Sequence, residues 1–113
     1  MIPEFVKSIA KTLVKRLVAG QYEEIVRVTS GRRLSVEMIA LAIREYGREL
    51  IEIPDPDFDS LDVVRVRNSD HPTWSVRVRL WTRDEGASDL CLQFTIADLP
   101  ESRRIEVDDI HVL

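Results

Sequence analysis

The sequence predicts an α+β fold in which about three N-terminal helices pack on a bent, four-stranded antiparallel meander. Apolar residues recur at three- and four-residue steps in the first half of the chain and alternate in the second half. The patterning changes near Pro54 without a Gly/Ser linker, which indicates a change of layer and not of domain. We therefore expect one domain over residues 1–113, with a helical layer at 1–50 and the sheet at 58–113.

The first helix is predicted from about Pro3 to Ala19. Proline suits the first helical turn, where its missing N–H is not needed, and Gly20 suits the position just after the helix. A basic row of lysines and Arg16 lies opposite the apolar stripe. The stripe consists of Phe5, Val6, Ile9, Ala10, Leu13, Val14, Leu17 and Val18.

Two shorter helices follow. Tyr22, Ile25 and Val26 have helical spacing, and the segment stops at the breaker run 29–31, which reads Thr-Ser-Gly. Ser35 is the expected N-cap of the third helix, which we expect to stop at Gly47. The apolar stripe of that helix consists of Val36, Ile39, Ala40, Ile43 and Tyr46.

The strands are predicted from residues 61–67, 74–83 and 87–96, the last two with strict alternation. The segment 84–86, which reads Asp-Glu-Gly, fits a three-residue hairpin loop with glycine in the left-handed position. This turn predicts a register that keeps the apolar residues of both strands on one face of the sheet. The predicted pairs are Leu80–Leu90, Val78–Leu92, Val76–Phe94, Trp81–Asp89 and Arg77–Gln93.

The last strand is predicted over residues 103–113, after a loop that contains Pro100. Ile105 and Val107 share one parity, whereas Ile110 and Val112 share the other. This switch predicts a β-bulge near residues 108–109, which would bend the sheet around the helices. Helices followed by such a meander resemble the cystatin-like or NTF2-like α+β roll.

A more specific resemblance is carried by LWTRDEGASDLCLQFTI, by IEVDDIHVL and by the junctions at residues 20–22 and 31–35. These segments resemble a family of small bacterial proteins of about this length. Small domains of this kind also resemble the immunity proteins encoded beside bacterial toxins, including those of contact-dependent growth inhibition. The resemblance implies a fold and a bacterial origin more than an activity.

Composition excludes several classes of protein. The chain carries 16 Lys and Arg against 20 Asp and Glu, for a net charge of −4, and a general nucleic-acid binder would be basic. No apolar run reaches the length of a membrane span, and the start of the sequence lacks the pattern of a secretory signal. The single cysteine, Cys91, indicates a reducing compartment, so a cytoplasmic protein without nucleic-acid or membrane partners is expected.

Charge is uneven along the chain: residues 1–50 carry a net +3 and residues 51–113 a net −7. The acidic segment is EIPDPDFDSLD, whose prolines predict an exposed, irregular loop. The glycine and the final glutamate of a calcium loop are missing, so no metal site is predicted. A solvated loop is one interpretation, and a patch that meets a basic partner is the other. Its acids are Asp55, Asp57, Asp59 and Asp62.

Trp81 falls on the polar face of its strand, between Arg79 and Arg83 and near Arg77. Tryptophan and arginine are enriched where proteins bind one another, so Trp81 and Arg79 are candidate partner-binding residues. A structural cover for Trp81, or cation–π packing against its neighbours, explains the same pattern.

Catalytic signals are weak. Asp109 and His111 share a strand face and could form an acid–base pair, although a structural role for His111 is favoured. Cys91 has no histidine at nucleophile-like spacing, so packing is its expected role. No Gly-rich phosphate loop or metal-ligand spacing is present in the sequence, and no cofactor is expected.

The leading hypothesis is a non-enzymatic immunity protein, monomeric or weakly dimeric, that neutralises a cognate toxin such as a nuclease. The acidic half would meet the basic surface of the toxin, with Trp81 as an anchor. One alternative is an NTF2-like ligand-binding or catalytic domain, with Asp109 and His111 in a helix–sheet pocket lined by Tyr22 or Tyr46. A second is a homo-oligomeric domain joined through the sheet face that bears Trp81.

Overall fold

A computed structural model describes residues 2–29 and 33–113. Helices precede an antiparallel sheet along the chain, so the predicted α+β class is confirmed. The helices are α1 (Glu4–Val18), α2 (Tyr22–Val28) and α3 (Val36–Tyr46). The strands are β1 (Leu50–Ile51), β2 (Asp62–Arg65), β3 (Thr73–Thr82), β4 (Gly86–Asp98) and β5 (Arg103–Val112), with a 3-10 helix at Asp55–Ser60 between β1 and β2.

The helix ends follow local chemistry. The Ser35 hydroxyl accepts a 3.2 Å hydrogen bond from the N–H of Met38, as an N-cap does. Gly47 follows α3 with φ of 75°, a left-handed conformation that favours glycine. The Ser-Gly part of the predicted breaker run 29–31 lies outside the described residues, and the C-cap of α2 is Thr29.

The sheet has the order β1-β3-β4-β5, and β2 also pairs with β3. β1 and β2 lie along the same edge of β3: Ile51 is opposite Trp81, and Asp62 is opposite Arg77. β1 lies before residue 58, the predicted start of the sheet, and a strand of only two residues has no periodicity by which the sequence could reveal it.

The predicted bulge in β5 is confirmed. Gln93 is opposite Asp109 while Phe94 is opposite Val107, so Asp108 is the extra residue. The Thr95 hydroxyl donates a 2.6 Å hydrogen bond to the Asp108 carboxylate. This bond anchors the bulge to β4.

A second irregularity lies between β3 and β4, and the predicted pairing of Trp81 with Asp89 is wrong. Trp81 is opposite Ala87, because β4 uses residues 88–90 where β3 uses only Leu80. The Ser88 hydroxyl donates a 2.6 Å bond to the Leu80 carbonyl and accepts a 3.2 Å bond from the N–H of Leu90. The loop between the strands starts one residue earlier than predicted, at residues 83–85. Gly86 has the predicted left-handed φ, at 73°.

The core lies between α1 and one face of the sheet, here the inner face. Trp74 extends this core through an edge-to-face contact with Phe5, at 5.1 Å between ring centroids. Along β3 and β4 the even-numbered core residues face α1, so the odd-numbered residues of β3 lie on the opposite, outer face. The buried residues of α1 are Val6, Ala10, Leu13, Val14 and Leu17, and those of the three long strands include Val76, Val78, Leu80, Leu90, Leu92, Phe94, Ile96, Val107 and Ile110.

Candidate functional site

The outer face of the sheet carries a groove of about 400 Å³, which we call the outer groove. Its volume lies toward the lower end of the range that small-molecule pockets occupy. β3 and β4 supply its floor, and the segment between β1 and β2 supplies its wall. The floor residues are Arg77, Arg79, Trp81, Ala87 and Cys91; the wall residues are Ile53, Asp57, Ser60, Leu61 and Asp62.

The wall is more regular than the loop that its two prolines predict. Residues Asp55–Ser60 form a 3-10 helix and not an irregular loop. Pro56 lies in the first turn, where proline is tolerated, and Phe58 is only 3% exposed. The ammonium of Lys11 lies 5.5 Å from the Phe58 ring centroid. The buried ring therefore anchors this acidic segment to the helical layer.

Two of the four predicted acids face away from the groove, toward α1. The Asp59 carboxylate lies 2.7 Å from the Lys7 ammonium, and that of Asp55 lies 3.9 Å from the Lys11 ammonium. The hydrogen bond from Lys7 holds the pKa of Asp59 below its ordinary value. Because Lys7 and Lys11 offset the charge of these two acids, the interpretation of a solvated segment is favoured for them.

The other two acids, Asp57 and Asp62, line the outer groove together with Arg79 and Trp81. The structure thus gathers four of the six candidate partner-binding residues at one place. Asp62 reaches the groove because β2 begins at this residue, directly opposite Arg77. No sequence periodicity indicates this gathering, because it depends on the interruption between β1 and β2.

The two arginines of the floor differ in whether they form an ion pair. The Arg79 guanidinium lies 3.2 Å from the Asp89 carboxylate, and both side chains are more than half exposed. Arg77 takes part in no ion pair within residues 2–29 and 33–113, although Asp62 is its neighbour by register. Trp81 is partly buried against the core cluster and presents its remaining surface to the groove. A side chain of this kind can anchor a partner without a large exposed apolar area in the free protein.

Asp109 and His111 lie on the outer face of β5, with His111 Nδ1 3.1 Å from an Asp109 carboxylate oxygen. The His111 side chain is 33% exposed. The alternative hypothesis needs these residues in the interior between helix and sheet, which is not where they lie. Neither of them lines the outer groove. Tyr46, which the same hypothesis assigns to the pocket, donates a 2.9 Å hydrogen bond from its hydroxyl to the Glu85 carboxylate.

Cys91 is buried at 2% exposure and lies directly opposite His111 in the register of β4 and β5. Spacing along the chain does not indicate this neighbour, because the two residues are distant in sequence. The predicted bulge, combined with a pairing of the last two strands, is the signal that would reveal it. Burial raises the pKa of the Cys91 thiol. The thiol is therefore protonated at neutral pH, which favours the packing role over that of a nucleophile.

The residues that the structure describes offer neither a metal cluster nor a membrane-spanning helix. They contain no group of three or more His, Cys, Asp or Glu side chains that could hold a metal ion. They also contain no helix that is long and apolar enough to cross a membrane.

Comparison with known proteins adds a family and no activity. Curated proteins give no match, and solved structures give none either. The family model described as Domain of unknown function (DUF7668) matches residues 14–113, so the chain belongs to this family.

Proposed function

We propose that the chain is a non-catalytic binding protein that holds a protein partner at the outer groove. The observation that carries the proposal is the gathering of Asp57, Asp62, Arg79 and Trp81 around this one groove. A half-buried tryptophan flanked by arginine and ringed by charge is the composition typical of binding hot spots. The thiol of Cys91, protonated at neutral pH, gives no support to a nucleophilic reaction there.

The form of this function that we favour is that of an immunity protein, with a bacterial toxin such as a nuclease as its partner. Enzymes that cleave nucleic acid present basic surfaces to the phosphate backbone. Residues 51–113 carry a net charge of −7, and complementary charge speeds association and selects partners. Of the acidic segment, Asp57 and Asp62 are the residues placed to meet such a surface, because Lys7 and Lys11 offset Asp59 and Asp55.

The test is co-expression with the product of the neighbouring gene in a bacterial host. We expect that product alone to arrest growth and co-expression of the chain to restore it. The Asp57→Asn/Asp62→Asn double variant should bind the purified toxin at least tenfold more weakly at low salt, with a smaller loss at high salt. A neighbouring product that is neither toxic nor bound would refute the immunity form.

The matched control is Asp55→Asn/Asp59→Asn, which removes the same charge from the same segment. Because these carboxylates face Lys7 and Lys11, the control should retain most of the affinity. Equal losses in the two double variants would show that only total charge matters and that the groove is not the docking site.

A second candidate function, a domain that joins copies of itself through the face bearing Trp81, is favoured by the partly exposed ring. Light scattering on the purified chain separates the two. A stable dimer that Trp81→Ala dissociates would favour self-association, and a monomer at micromolar concentration would favour a different partner.

A further inference from the structure

The outer groove opens on a gap in the pairing of β3. β1 ends opposite Trp81 and β2 begins opposite Arg77, so residues 78–80 have no strand beside them on this edge. Val78 lines the groove although the residue as a whole is only 1% exposed. Because Arg77, Val78 and Arg79 line the groove together, it lies along this unpaired stretch of β3.

Within the gap, Arg79 directs its own N–H and C=O toward the groove. In an antiparallel strand, alternate residues bond to opposite neighbours. The Thr73 carbonyl accepts from Val66 on this edge, and the Arg83 N–H donates to Glu49 on the same edge. Arg79 has the same parity, and β3 is regular from Thr73 to Arg79. No backbone hydrogen bond to another described residue occupies either group on this edge.

We propose that an extended segment of about three residues from a protein partner adds to β3 at Arg79, as a short strand between β1 and β2. The length follows from the three unpaired residues of β3, which span about 10 Å at the rise of a strand. A free N–H and C=O on a sheet edge are a template for such pairing. This inference rests on the proposed function and specifies what part of the partner the groove recognises.

The composition of the groove defines the chemistry of that segment. Two arginines and two aspartates line it, so the groove as a whole carries no net formal charge and takes an uncharged segment, while basic residues that flank this segment in the partner would meet Asp57 and Asp62. An apolar side chain of the segment would lie against Trp81 and the neighbouring Leu113. Arg77, which has no ion pair in the described part of the chain, is placed to donate to a carbonyl of the segment. Because β1 and β2 block both ends of the gap, the segment enters from the outer face as a loop tip or chain end.

The experiment is selection from a phage-displayed library of random peptides on the purified full chain. We expect enriched peptides with apolar, uncharged cores whose synthetic forms bind the chain. Amide hydrogen exchange resolved by NMR should show the Arg79 N–H exchanging rapidly in the free protein and slowing at least tenfold with peptide. The Val78 N–H, which faces β4, should be protected in both states. A protected Arg79 N–H in the free protein, or no slowing on binding, overturns the inference, as does failure to enrich any peptide.

Variants that leave the strands intact test the location. Ser60→Tyr places a bulky side chain at an exposed position of the groove wall and should reduce peptide affinity at least tenfold. Ser102→Tyr, at an exposed position of the β4–β5 loop, is the matched control and should have no effect. Toxin neutralisation without peptide binding at Arg79 would overturn this inference alone, whereas peptide binding without neutralisation would refute only the immunity form.

Discussion

One buried hydroxyl, that of Ser88, makes hydrogen bonds on both sides of the bulge of β4 at residues 88–90. Removing this hydroxyl is the sharpest test of how the outer groove is built. Ser88 is 2% exposed, and its hydroxyl satisfies the Leu80 carbonyl at 2.6 Å and the Leu90 N–H at 3.2 Å. Ser88→Ala leaves both backbone groups without this partner. Each net hydrogen bond is worth about 1 kcal/mol, so we expect a loss of about 2 kcal/mol in the free energy of unfolding.

The assay is urea unfolding followed by far-UV circular dichroism, with Ser75→Ala as the matched control. Ser75 also lies in a strand and is half-buried, but its hydroxyl takes part in no hydrogen bond within the described ranges. We expect the control to change the free energy of unfolding by less than about 0.5 kcal/mol. Equal effects of the two substitutions would refute the role given to the Ser88 hydroxyl.

The bulge also sets the position of Trp81, which is opposite Ala87 and not Asp89. If the bulge of Ser88→Ala relaxes toward regular pairing, the ring should move relative to Arg79. Tryptophan fluorescence of the folded variant, read against Trp81→Phe to subtract the signal of Trp74, should then shift in wavelength. An unchanged spectrum together with the full loss of stability would assign the hydroxyl a role in stability alone.

Two further predictions concern titration. The Arg83 guanidinium donates two hydrogen bonds to the Glu49 carboxylate, at 2.9 and 3.0 Å, and these lower the pKa of Glu49 below its ordinary value of 4.5. The pair therefore stabilises the fold above pH 4.5, and this stabilisation is lost as the pH falls through the lowered pKa. Glu49→Gln should therefore have a lower free energy of unfolding in urea than the parent chain at pH 7, and this difference should disappear in acid. A difference that grew in acid would contradict the lowered pKa of Glu49. Burial raises the pKa of the Cys91 thiol, so it should react with a disulfide reagent far more slowly in the folded chain than in urea at pH 8, and equal rates would contradict its burial.

Much of the fold could be predicted because local chemistry dictates it. Ser35 caps its helix, Gly47 and Gly86 adopt left-handed conformations, and the parity switch in the last strand marks the bulge at Asp108. Each of these features is decided by a few adjacent residues. The acidic segment was predicted less well, because burial of Phe58 under α1 outweighs the local tendency of two prolines toward irregular structure.

Four residues of the candidate site can be named from the sequence, but their meeting in one groove cannot. Asp57, Asp62, Arg79 and Trp81 were named from charge and aromatic content, and their meeting depends on where β1 stops and β2 starts. The same charge pattern did not separate Asp55 and Asp59 from them. That separation follows from the packing of the 3-10 helix on α1, which brings Lys7 and Lys11 within ion-pair distance.

The class of fold, the helix ends, the two faces of β3 and the bulge in β5 follow from short stretches of residues, because hydrophobic periodicity and capping act over a few positions. Three other features arise from the assembled fold: which carboxylates lie beside lysines, which residue of β4 is opposite Trp81, and where β3 lacks a neighbouring strand. These depend on strand register and on contacts between residues far apart in the chain, for which a single sequence carries no local signal. The outer groove is therefore a product of the assembled sheet, although four of the residues that line it, Asp57, Asp62, Arg79 and Trp81, are candidates that the sequence offers.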